Sequence, residues 1–170
     1  TLTGERAQLL SQIDGLITGR DSLTEAHNAL RQADRAIATA EASGAALATQ
    51  ATAAEILEAQ EALDAADAAM PDQPSEAQAQ ANAAQIGAEA VSEAIAEARS
   101  AARDAERAAG AALELARLAV APDEALLQAP LEGWQAAEMA WTEGQVARSE
   151  ALWREAEAAL TAITQTAREA

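Results

Sequence analysis

The sequence predicts an all-α fold, an elongated antiparallel helical bundle or coiled-coil hairpin of three or four long helices. Three observations carry this. Alanine makes up 53 of 170 residues, beside a vocabulary of Glu, Gln, Leu and Arg that favours helix. The residue types that build strands are scarce: the chain has 3 Trp, no Phe and no Tyr, and few β-branched residues. Apolar residues recur every seventh position over long stretches, and strong helix breakers concentrate near residues 71–74 and 121–130. These features give one domain over 1–170, with helices at about 2–42, 45–70, 76–120 and 131–168.

The first helix rests on Leu2, Leu9, Leu16, Leu23, Leu30 and Ile37, an unbroken heptad line, with Ala26, Ala33 and Ala40 three positions further on. The spacing predicts a core seam along its whole length. Leu10, Ile13 and Ile17 widen the apolar side of its first half. Gly15 and Gly19 interrupt the helix chemically but not in phase, which allows at most a bend.

At Ser43 and Gly44 the phase is lost, and it resumes in another register as Ile56, Leu63 and Met70. Gly44 either caps the first helix or is a weak point within one helix of about 68 residues, ~100 Å long. The sequence leaves this choice open.

Met70-Pro71-Asp72-Gln73-Pro74 ends any helix, and Ser75 with Gln78 forms a capping box for the third one. Its inward lines are mostly alanine. Ala84, Val91, Ala98, Ala105 and Ala112 form one, and Ala88, Ile95, Ala102, Ala109 and Ala116 the other. Small residues let helix axes approach closely but bury little area per turn.

Pro122 and Pro130 bracket a loop with at most one helical turn, whose Leu126 and Leu127 are expected to fold over the bundle end. The last helix carries all three tryptophans. Met139, Val146, Trp153, Leu160 and Ala167 repeat every seven residues and assign Trp153 to the core. Trp134, Trp141 and Leu152 lie on a second stripe about 120° away. A helix apolar on two faces needs two neighbours, so this stripe is a candidate interaction surface for a protein partner or a second chain.

Absences exclude much chemistry. With no Cys there is no disulfide, thiolate zinc site or Fe–S cluster, and with no Lys there is no Schiff base or P-loop lysine. The single His27 cannot anchor a histidine metal triad; position 24 is Thr, so the Glu-x-x-His pair of di-iron bundles is missing. A partly buried structural role is expected for His27. The expectation is no enzyme, no cofactor and no catalytic residue.

The formal net charge is −17. Between Arg35 and Arg99 there is no basic residue but eleven acids, Glu41 to Glu97. Such a polyanion disfavours nucleic acid and anionic lipid, and no stretch has the apolar length of a membrane span, so neither nucleic-acid binding nor direct membrane insertion is expected. Glu55, Glu58, Glu61, Asp64 and Asp67 are spaced by three. Their carboxylates drift by about 60° per step, poor geometry for one metal cage. With Asp72 they form a candidate acidic patch, a solvated face or an attractor of basic partners and loosely held divalent cations.

Arg99, Arg103 and Arg107 are four apart on one helix face and repel unless answered. Ion pairing to another helix is favoured, with Glu41 nearly opposite Arg103 in a chain folded back at Pro71. Capture of a ligand carboxylate is the second option.

Ala-rich heptads occur in many unrelated coiled coils and identify no family. Two functions are consistent with the residues. The first is a structural or protein-interaction bundle, a scaffold or adaptor with an acidic flank. The second is a ligand-sensing helical bundle of a bacterial receptor, which would place the chain outside the membrane. A sensor needs a cavity between helices, and alanine packing leaves little room for one.

Overall fold

The computed structural model describes residues 2–44, 50–70, 72–120 and 124–169. They form α1 (Leu2–Gly44), α2 (Gln50–Ala69), α3 (Pro74–Val120), one 3-10 turn (Glu124–Leu127), α4 (Gln128–Thr142) and α5 (Val146–Glu169). There is no strand among the described residues, and helix packs on helix throughout. The fold is an all-α helical bundle. Its contacts fall into two compact units, Thr1–Ala42 with Gln50–Ser92, and a second built on Glu93–Ala170.

In the first unit the question at Gly44 is answered by a side-chain contact. The amide of Gln60 on α2 donates to the carboxylate of Glu41 on α1. Nineteen residues along one continuous helix would separate them by about 28 Å. α1 and α2 are therefore separate antiparallel helices. Ala29, Leu30 and Ala33 of α1 meet Ala66 of α2 and Ala81 and Ala84 of α3, with Ala62, Leu63 and Met70 at the margin. At the reversal into α3, the amides of Asp72 and Gln73 donate to the Ala69 carbonyl at 3.3 and 2.9 Å. The amides of Glu76 and Ala77 donate to the Gln73 carbonyl, both at 3.0 Å. Pro74 opens α3, where its missing N–H costs nothing, so the helix starts two residues before the expected Glu76. Pro71 lies outside the described residues.

The expected seam along all of α1 is half right. Leu30 and Ile37 are 9% and 5% exposed, whereas Leu9, Leu16 and Leu23 are 59%, 75% and 41% exposed. Leu2's side chain lies outside the described residues. The cause is helix length. The last turns of α2 pack at the level of Ala29 and Leu30, and the chain turns there into α3. Among the described residues, the side chains from Arg6 to Asp21 are left exposed.

Along α3 the line Ala88, Ile95, Ala102, Ala109 and Ala116 is buried throughout, as expected; on the other line Ala98 and Ala112 are half-buried. In the second unit the expected single helix over 131–168 is instead a hairpin of α4 and α5. Gly144 adopts φ 77°, the left-handed conformation that terminates helices. The amides of Glu143 and Gly144 donate to the carbonyls of Met139 and Trp141, both at 3.0 Å, and that of Gln145 to Ala140 at 2.8 Å. The break removes Met139 from the buried line and leaves it exposed, while Val146, Trp153 and Leu160 are buried as expected. A second core joins Ala116, Val120, Leu127 and Leu160, flanked by Leu113, Leu131 and Ile163. Of the two leucines before α4, Leu127 is buried and Leu126 is exposed. Pro122 and Asp123 lie outside the described residues.

Candidate interaction surface

The three tryptophans come together. Trp153 is 1% exposed, with the ring of Trp134 edge-on at 6.4 Å and 63° and that of Trp141 tilted at 5.9 Å and 47°. Trp134 also rests beside Gly110 of α3, and its indole N–H donates to Glu138 at 3.0 Å. The guanidinium carbon of Arg103 lies 4.2 Å from the centroid of the Trp141 ring. Aromatic pairs of this kind add about 0.5 to 1.5 kcal/mol beyond area burial. The α4–α5 hairpin brings the two expected tryptophan stripes to one place. Trp134, Trp141 and Leu152 are half-buried, so much of the surface expected to meet a partner is occupied within the unit. The Trp153 indole N–H is buried without a hydrogen-bond partner. Ser149 and Thr164, also buried, donate to the carbonyls of Val146 and Leu160 on their own helix.

Two arginines of the stripe are answered on their own helix. Arg103 pairs with Glu106 at 2.6 Å and Arg107 with Asp104. Glu41, the acid expected to help answer Arg103 from another helix, accepts from Gln60 instead. Steps of three and four put these acids beside the arginines within one turn, which makes intrahelical pairing the shorter reach. Arg99 is half-buried.

Glu55, Glu58, Glu61, Asp64, Asp67 and Asp72 are all exposed. No group of acids or His that could hold a metal ion occurs among the described residues. Asp64 does share a groove of about 320 Å³ with Asp34 and Glu41 of α1, over Ile37 and Leu63. The seven-residue step from Asp34 to Glu41 places both on one face, a signal present in the sequence. His27 is exposed rather than partly buried, because the packed face of α1 runs through Ala26, Ala29 and Leu30 beside it.

The largest unpartnered feature is the first half of α1. Every described side chain from Arg6 to Asp21 is exposed, and burial begins in earnest at Ala26. Leu9, Leu10, Ile13, Leu16, Ile17 and Leu23 share an arc of about 140° at 100° per residue. On the polar side the hydroxyls of Thr18 and Ser22 donate to the Asp14 and Thr18 carbonyls at 2.9 and 3.0 Å. The polar face is satisfied within the helix; the apolar one is bare. Among the described residues no helix is long and apolar enough to cross a membrane.

No protein-family model matches the chain, and no curated protein or solved structure matches it either.

Proposed function

We propose that the chain is a non-enzymatic structural or protein-interaction bundle, a scaffold or adaptor with an acidic flank. The supporting observation is the bare face of α1. Six large apolar side chains, 41% to 75% exposed, line one side of a helix whose next turns are buried in a core. Exposed apolar patches of this size on a folded chain mark contact surfaces, since isolated exposed leucines are common but contiguous stripes are not. The exposed acids of α2 give that contact an electrostatic bias away from nucleic acid and anionic lipid.

A photo-crosslinking amino acid placed at 9, 16 or 23, and separately at 18 or 25 on the polar side, tests this reading in cells. Protein adducts confined to the first set support it. No adducts, or equal yields from both faces, contradict it.

A second reading, a solute-sensing bundle, draws on a groove of about 420 Å³ between α3 and α5. Ala108, Ala111 and Leu115 face Thr161, Gln165 and Arg168 across it. It ranks lower because the buried hydroxyl there, Thr164, already bonds its own helix. A solute bound in this groove would raise the melting temperature, and Arg168→Ala would abolish the rise.

A further inference from the structure

We propose that the occupant of the bare α1 face is a second copy of this chain, two α1 segments pairing along Leu9, Leu16 and Leu23. This deepens the interaction reading and rests on it.

Continuity is the first ground. The heptad line that closes in the bundle through Leu30 and Ile37 runs on without a phase change into Leu23, Leu16 and Leu9, where it has no cover. A strict seven-residue repeat is the pattern that helices use to pack on helices at a shallow crossing angle. A face carrying it is complementary to another such face, and the same face on a second copy meets it through a two-fold axis.

Size is the second. Leu2–Glu25 spans about 36 Å at the helical rise. Its six exposed apolar side chains present a stripe on the order of 500 Å². One side of a standard stable interface covers about 800 Å², about 65% apolar in its core and in homodimers, which is the same amount.

Charge is the third. Across residues 6–25 two arginines stand against three acids, and Arg20 is paired with Asp21 at 3.4 Å. The run from Arg35 to Arg99 holds eleven acids and no base. Two copies approaching through α2 would bring like charges together; through the start of α1 they would not. Gly19, beside the leucine line, has open space where a Cβ would stand, so it does not hold a second helix away.

Sedimentation equilibrium of the purified 170-residue chain tests the pairing, from about 1 to 200 μM. The expected result is a mass rising from the 17.4 kDa of one chain to twice that value. Leu16→Asp, and independently Leu9→Asn, should raise the dissociation constant at least 100-fold. Leu118→Asp, at a position 80% exposed on α3, should leave it within threefold. Leu9 and Leu16 touch no core, so the variants keep the unfolding transition of the parent at low concentration, checked by circular dichroism. A chain that stays monomeric throughout, a dimer indifferent to both α1 variants, or a monomer that instead partitions onto phosphatidylcholine vesicles would overturn the pairing. Crosslinks from position 16 to a different protein, with the purified chain monomeric, would retain the interaction reading and reject self-pairing.

Discussion

The two halves of α1 carry one apolar line and meet opposite fates. From Ala26 to Ala40 the residues on and beside it, Ala26, Ala29, Leu30, Ala33, Ile37 and Ala40, are buried, and Ala29, Leu30 and Ala33 pack on α2 and α3. From Arg6 to Asp21 the same periodicity, with larger side chains, faces outward. Periodicity states which side of a helix avoids water; it does not state what covers that side. The covered half is lined mostly by alanine, whose small side chains let the neighbouring helices pack closely. The uncovered half has Leu and Ile, as a seam does when its partner stands at coiled-coil distance.

That contrast fixes the size and order of mutational effects in dilute conditions. Trp153, 1% exposed and wedged between two other indoles, gives the upper end of the scale. Trp153→Ala should cost roughly 3 to 5 kcal/mol in urea unfolding, as for other buried large-to-small changes. Leu30→Ala should follow at about 2 to 4 kcal/mol, since its methyls fill the junction of three helices. Ala33, 0% exposed, tests how tightly that junction is closed, and Ala33→Leu should cost about 1 to 3 kcal/mol through overpacking. At the bottom of the scale, Leu16→Ala at about 1 μM should change stability by less than about 0.5 kcal/mol, the range for surface positions. A Leu16→Ala cost comparable to that of Leu30→Ala would mean that the first half of α1 is covered inside the monomer, and the contrast would fail.

How much of this was legible in the sequence follows the same division. The helical class, the break at Met70–Pro74 and the buried alanine line of α3 were legible because breakers and 3.6-residue periodicity act locally. The separation of α1 from α2 was not, because a glycine serves equally as cap or weak point, and the Gln60–Glu41 contact that decides the matter is made in space. The helix end at Gly144 is hidden in the sequence for a related reason. The seven-residue line through Met139, Val146 and Trp153 continues across it, and only the positive φ shows that α4 ends there. Once the hairpin forms, Trp134 and Trp141 meet Trp153, and the surface expected on the last helix is largely used within the unit. Arg103 and Arg107 find their acids within their own helix, an i,i+3 pattern visible in Arg103–Glu106 and Asp104–Arg107 from the sequence alone. The bare face of α1 was legible as a face but not as bare, since its exposure depends on where α2 runs out.

Amide hydrogen exchange along α1, followed at about 1 μM and at 200 μM, tests most directly whether the first half of this helix is a contact surface for a second copy. Residues 26–40 should be protected equally at both concentrations, because their cover is intramolecular. Residues 6–25 should exchange at least tenfold more slowly at the higher concentration, and Leu16→Asp should abolish that gain. Exchange over 6–25 that is the same at both concentrations, whether fast or slow, would contradict pairing through this face.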